Sequence, residues 1–469
     1  MNFMWLDIGL MIAFVLSVAI FLYVRRKNLK REGLLFLYKT EWGIRLINKV
    51  GKKYQKTLRV LSHVSVWLGY VLMAVMLWMV ARIVWIYLFN SDVVRAIKIP
   101  PIAPLIPYLP QMFKLDFLPP FYFIYWIIII AIIAISHEFF HGIFAALNKI
   151  KIKKTGFGFF PFFLPIFLAA FVKPDEKQMQ NKSNFAQRTV LSAGTFANLL
   201  TAIVGLLLIA GFFALSFTPS GVVFDDYAYE IVQTSDITML DNISLTNPTY
   251  EEISILVNRS GRNEFKIGEQ AYYGLRGASA DGSLLALYSD SPAINAGIYG
   301  PITKVNGQEI IGIKEFSEEL NKYSVGQEVT ISAEVNKQEI DYVVTLQENP
   351  TLEGSPWVGI SFFQQPNGIM AKIFLATSFY KDSHIFYSEK YQGAQFIYDF
   401  LWWLILISFS VALVNMLPMG IFDGGRFFYL SVLKLTKSER IAKASFKFLT
   451  YLFIFVVVLI MFYWAKSFF

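Results

Sequence analysis

The sequence predicts a multi-pass α-helical membrane protein with about six transmembrane helices and an extracytoplasmic α+β domain. Three observations predict it. Of the 469 residues, 55% are hydrophobic and only 16% charged, against about 25% charged in a typical soluble domain. Six apolar stretches, at 5–24, 61–89, 121–147, 189–217, 396–417 and 449–464, approach or exceed the ~20 residues a bilayer crossing needs. Charge is also unevenly divided: residues 217–370 hold 21 acidic and 8 basic residues, and the remainder 13 acidic and 34 basic. A soluble enzyme is excluded as the main body. So is a disordered chain, which would be poor in aromatics, whereas this one has 45 Phe, 24 Tyr and 10 Trp.

The first apolar stretch is not a cleavable signal, because its basic residues follow it rather than precede it. Arg25, Arg26, Lys27, Lys30 and Arg31 place the N-terminus outside and residues 25–60 in the cytoplasm. Alternation tests this orientation. The loops after the third and fifth stretches should be cytoplasmic, and both are basic, with Lys149, Lys151, Lys153 and Lys154 in one and Lys434, Lys437, Arg440, Lys443 and Lys447 in the other. The long segment 217–370 should be outside, and it is acidic. The net charge of +8 therefore reads as membrane anchoring, with the lipid bilayer and not nucleic acid as partner. The absence of Cys excludes disulfides and thiolate metal sites.

Two stretches are not simple spans. Residues 100–120 carry seven prolines and read as an irregular surface loop. Residues 156–172, GFGFFPFFLPIFLAAFV, are intensely apolar but broken by Pro161 and Pro165. Irregular backbone is not tolerated against lipid, so this segment reads as a re-entrant loop or short hairpin tucked into the bundle, or else as a segment lying at the interface. Within 217–370, residues 329–335 and 342–346 alternate like paired strands around Asn336 and Lys337. Residues 314–323 read as a short amphipathic helix. No internal repeat is visible. The chain thus divides into 1–118, a membrane region with two spans and a basic loop; 119–217, core helices with the segment 156–172; 218–370, the extracytoplasmic insert; and 371–469, a C-terminal membrane region.

The chemistry lies in HEFFH, His137 to His141, inside the third span. Histidines four apart share one helix face, and a zinc ion needs neutral nitrogens converging from one side. Glu138, beside the first histidine, suits a general base that holds a water. His137 precedes Asn148, where the span ends, by 11 residues, about 16 Å of helix at ~1.5 Å per residue. An acid that deep costs a few kcal/mol, so the placement calls for a function. A structural glutamate satisfied by a neighbouring histidine is the plain alternative. A catalytic zinc has three protein ligands and one open position. His63, at the start of the second span, reads as interfacial and His384 as solvated. Asp423, in NMLPMGIFDGGR, is the better candidate for the third ligand, since Pro418 and Gly420 break the helix there and Asp423-Gly424-Gly425 makes a turn; an ordinary turn Asp at a membrane exit is the plain alternative.

With these residues in view, the chain resembles the site-2 protease family of intramembrane zinc metalloproteases. HEFFH in a membrane helix is followed by Asn415-Met-Leu-Pro418 and Asp423-Gly424 in the family's order. Ser192-Ala-Gly194-Thr-Phe-Ala-Asn198 resembles its small-residue segment, with Thr195 where many members have Pro. SPAINAGIYGPITKVNGQEI, at 291–310, resembles a PDZ stretch, and the PDZ-like match covers roughly 265–365. The resemblance implies Zn²⁺ held by His137, His141 and Asp423, with Glu138 as the general base. It further implies substrate contacts from Asn415 and Asn198, transmembrane proteins as substrates, and an active site towards the cytoplasmic side of the cell membrane. For Asn198, interhelical packing beside Gly194 is an equal alternative. The apolar segment 156–172 is expected to present an edge to a substrate strand. A CaaX-type membrane zinc protease would use a downstream Glu as third ligand, which Asp423 argues against. An inert membrane protein that binds peptides through the PDZ-like domain would require a degraded zinc set. Tyr273-Gly-Leu-Arg-Gly277 is the candidate carboxylate-binding loop of that domain.

Overall fold

The computed structural model describes residues 3–32, 35–90, 105–115, 117–159, 168–257, 263–279, 281–363 and 377–466. The chain divides into two compact units, one of Met1–Gly211 with Phe396–Phe469, the other of Phe212–Gln395.

Six helices among the described residues are long and apolar enough to cross a membrane: Phe3–Val24, Gln55–Phe89, Phe123–Leu147, Asn184–Ser216, Ala394–Asn415 and Glu439–Lys466. They correspond to the six expected stretches: those at Gln55, Asn184 and Glu439 begin several residues earlier in polar flanks, while Phe123–Leu147 begins two residues later and Ala394–Asn415 is shifted by two. The central helix of the site, Phe123–Leu147, is fixed at its start by an acid from another helix. Asp7, 1% exposed, accepts from the Phe123 and Ile124 amides at 2.7 and 3.0 Å and from the Tyr108 hydroxyl at 2.6 Å. Free N–H groups at a helix start need such acceptors, and a carboxylate also suits the helix dipole. An acid buried in the first span thereby has a structural role. Of the proline-rich stretch, 100–104 and Asp116 lie outside the described residues, and Leu109–Met112 forms a short helix.

Residues 25–60 are more structured than the loop expected. Strands β1 (Leu29–Glu32), β2 (Leu35–Thr40), β3 (Ile152–Phe159) and β4 (Leu168–Pro174) form one antiparallel sheet in that order, with β4 at an edge. The hairpin alternative for 156–172 is therefore the one its described part adopts; residues 160–167 lie outside the described set. A short helix follows at Ile44–Lys53. Ile47 and Gly51 face inward and basic residues face out, an amphipathic pattern. It packs tightly on the motif helix, since a Cβ at Gly142 would lie 2.9 Å from Ile47 and one at Gly51 2.8 Å from Ala146.

The second unit corrects several expectations. Its described residues form two hydrophobic cores: one includes Leu240, Ile253, Phe265 and Leu285, the other Val305, Phe316, Ile331 and Val344. They belong to two copies of one module, so an internal repeat exists. In the first copy Leu240 and Met239 pair with Phe265 and Lys266; in the second Val305 and Lys304 pair with Ile331 and Ser332. The turn is the same. Asp241 and Asn306 both have positive φ, 52° and 46°. Each accepts on its side-chain oxygen from the facing strand, Glu264 N at 2.8 Å and Thr330 N at 2.7 Å, and each returns a bond to that residue's carbonyl at 2.7 Å. Leu245 N bonds Thr238 O and Ile310 N bonds Thr303 O, both at 2.9 Å. A helix follows in each, Tyr250–Leu256 and Ile313–Leu320, then a hairpin pairing Phe265 with Tyr272 or Ile331 with Tyr342. The repeat is carried by buried positions and turn geometry, with little identity to reveal it.

The first copy thus occupies residues that the expected PDZ-like match assigned to a single domain. Tyr273–Gly277 lies within its strand Gln270–Ala278 and is not a loop. The hairpin Glu328–Val335 and Gln338–Thr345 turns at Asn336 and Lys337, φ 53° and 65°, as expected, in the left-handed conformation that suits tight hairpins. Strand Ile385–Glu389 pairs with Phe217–Val222, so the second unit extends past the expected boundary at 370. His384 is not solvated. Its Nε2 lies 2.9 Å from Asp225 Oδ2, a partner too remote in sequence to foresee.

Candidate metal centre

One helical turn separates His137 from His141, and their Nε2 atoms lie 3.0 Å apart. Asp423 Oδ2 completes a triangle, 3.1 Å from His141 Nε2 and 3.4 Å from His137 Nε2. Ligands at ~2.0–2.2 Å from a tetrahedral zinc stand about 3.3–3.6 Å apart; at 3.0–3.4 Å the three donors lie at or just inside that spacing and have the chemistry of such a site. Among the described residues this is the group of His, Asp and Glu side chains that could hold a metal ion.

Three neighbours shape the triangle. The first is Gly194, on helix Asn184–Ser216: a Cβ there would fall 2.4 Å from His141 Nε2 and 2.5 Å from His137 Nε2. Any side chain at 194 would fill the face of the triangle. The small-residue segment is therefore a cradle for the donors, and its contact is with the histidine rings themselves. The second is the Val190 carbonyl, 2.6 Å from His141 Nδ1. A carbonyl only accepts, so Nδ1 carries the proton and Nε2 is bare for a metal.

The third is Asn198, fully buried, with its amide nitrogen 3.1 Å from His137 Nδ1 and its Oδ1 without a partner. A metal on Nε2 leaves the proton on Nδ1. The amide must then turn so that Oδ1 accepts from it, and the orphaned oxygen is available to do so. Asn198 thus stands behind a histidine, against the direct substrate contact implied by the resemblance.

Asp423 opens helix Asp423–Thr436, where a carboxylate is favoured by the helix dipole. The two glycines after it allow close packing on the preceding turn: a Cβ at Gly424 would meet Leu417 O at 2.5 Å, and one at Gly425 Met419 O at 2.2 Å. Asn415 ends helix Ala394–Asn415, half-buried. It is not brought into the triangle, and its amide makes no hydrogen bond among the described residues. Glu138 stands beside the histidines on the same helix and accepts from the Val172 amide of β4 at 2.7 Å. His63 and His384 are apart from the site: His63 bonds Arg59 O at 3.0 Å and lies against Phe185.

Asp7 and the Val190 and Val172 backbone groups are not among the residues expected from the sequence. A lone acid in an apolar span was a readable signal; backbone partners leave none.

The family model described as peptidase family M50 matches residues 125–461. No curated protein sequence matches the chain. Among solved structures, the chain is similar to the PDZ domain of an SdrC-like protein from Listeria monocytogenes, at 23% identity, covering 15% of this chain and 75% of that one, with a TM-score of 0.14.

Proposed function

The chain belongs to peptidase family M50, the site-2 protease family, and from that premise we propose that it is an intramembrane zinc metalloprotease cutting other membrane proteins. Its substrates are proteins with transmembrane segments, hydrolysed in or near those segments. The observation that carries this reading is the convergence of His137, His141 and Asp423, with Glu138 adjoining on the same helix. Zinc held by these three side chains would polarise a bound water and the scissile carbonyl.

The chain's own residues supply the rest. Glu138 takes a proton from the attacking water and returns it to the departing nitrogen. Its bond to the Val172 amide keeps one carboxylate oxygen fixed while the other remains for the water. Gly194 keeps the donor face open, and the Val190 carbonyl and Asn198 set the histidine tautomers. Peptide bonds within a helix are already hydrogen-bonded, so the substrate must unwind locally. Edge strand β4 offers it a strand to pair with, and the free amide of Asn415 a donor for a peptide carbonyl. The basic loops favour a cell-membrane orientation with the centre towards the cytoplasm and the duplicated unit outside. The second module is PDZ-like, suited to capturing peptides or filtering substrates by size.

The test is metal analysis of the purified protein together with cleavage of a model single-span substrate by wild type and Glu138→Gln. The variant is expected to retain zinc and to lose cleavage by roughly 10²–10⁴-fold, the contribution of a positioned base. Full cleavage by Glu138→Gln would remove Glu138 from its role, and a metal-free wild type would remove the reading.

A further inference from the structure

Glu138 also forms part of the wall of a cavity of about 70 Å³ whose lining includes none of the three metal donors. The cavity sits where five elements meet, β2 contributing Thr40. Ile135 and Phe139 come from the motif helix, Ile47 from the amphipathic helix, Phe157 from β3, and Ala170 and Val172 from β4. Its polar groups are engaged with one another. The Thr40 and Thr155 hydroxyls lie 3.3 Å apart, Thr155 Oγ1 donates to Trp42 O at 2.7 Å, and the Val172 amide is bonded to Glu138. The rest of the lining is mostly apolar, so an occupant with polar atoms would give up more hydration than it regains. At about 70 Å³ the space is roughly half of a ~150 Å³ apolar cavity that takes up benzene. That matches a leucine, isoleucine or methionine side chain and not an indole.

Position identifies which substrate residue would enter. Hydrolysis adds a hydroxyl to the carbonyl carbon and a proton to the nitrogen as the C–N bond breaks. Glu138 delivers that proton, so the residue contributing the nitrogen lies on the Glu138 side. A strand paired with β4 also lays alternate side chains over the face carrying Ala170 and Val172. We propose that this cavity is the specificity site for the residue immediately after the scissile bond, and that it selects a medium-sized aliphatic side chain. This rests on the proteolytic reading above and adds to it a subsite and its chemical class.

The experiment uses full-length protein in detergent or bilayer and a single-span substrate carrying Ala, Leu, Met, Phe or Trp at that position. Wild type is expected to prefer Leu and Met over Trp by at least ~10-fold, the lower end of what a few methylenes in a pocket confer. Ala170→Leu should lower the Leu-to-Ala cleavage ratio about 10-fold by filling the space. Ile135→Ala should raise cleavage of the Phe substrate relative to Leu. Independently of turnover, photo-leucine at that position, bound to Glu138→Gln, should crosslink to Phe139 or Ala170. If Ala170→Leu fails to fold, Ile135→Ala and the crosslink still decide. Unchanged ratios in folded variants, or crosslinks confined elsewhere, would overturn the subsite and leave the protease standing. A wild type that cuts none of the substrates would overturn both.

Discussion

At the scale of single residues, Gly194 carries the sharpest expectation. An alanine there places a Cβ 2.4–2.5 Å from two ligand nitrogens, closer than atoms approach without displacement. Gly194→Ala should therefore lose zinc, read by metal analysis, while helix content by circular dichroism stays at the wild-type level. Undiminished metal would mean that the donors do not converge on that face. Asp423→Ala should also lose metal, because two histidines alone are a weak site; a full zinc complement would refute the third ligand. Asn198→Ala should weaken zinc affinity by about 10–100-fold, the usual effect of removing a group behind a ligating histidine. The parts of this site differ in how legible they were. His137, Glu138 and His141 are local, so spacing on one helix exposed them. Asp423 is 282 residues from His141, and only its company of Asn415, Pro418 and Gly424 pointed to it. The Val190 carbonyl had no signature, since every residue has one.

At the scale of elements, the long apolar helices were readable because their signal is composition over many residues. The β1–β2 hairpin was not. Its strands mix Lys, Arg and Glu with Leu in a stretch whose charge already had a sufficient explanation in topology. The amphipathic helix Ile44–Lys53 hid for the same reason, although Ile44, Ile47 and Gly51 sit at helical spacing on its inner side. These short elements matter because they join the motif helix to β3 and β4, and so set where Glu138 stands. The motif helix is fixed at its other end by Asp7. Asp7→Ala strands two amides and the Tyr108 hydroxyl, each at roughly 1–3 kcal/mol if it stays unpaired. The expected result is a clear fall in the thermal unfolding midpoint in detergent, with Asp7→Asn falling less because it keeps one acceptor oxygen. An unchanged midpoint for Asp7→Ala would mean that water or another group satisfies the helix start.

At the scale of the whole molecule, the charge division that suggested an acidic domain outside did not reveal that the domain is a duplication. Turn geometry and buried positions persist between the copies where identity does not, and alternation alone cannot register two copies of one pattern. The duplication has a structural consequence that can be tested. Tyr229 and Tyr288 are cross-strand partners at the two ends of the first copy, so the chain enters and leaves that copy within about 5 Å. The second copy keeps its own core of Val305, Ile331 and Val344. Replacing residues 229–289 by a short Gly-Ser linker should therefore leave the second copy folded and the metal donors in place. Zinc stoichiometry should match wild type, and amide exchange across Glu328–Thr345 should remain protected. Loss of zinc would show that the first copy supports the membrane unit. Loss of protection with zinc retained would show that the two copies fold only together. If both persist, the first copy is dispensable for the catalytic architecture, and the cleavage rates of trimmed against full-length substrates will show what it adds to their selection.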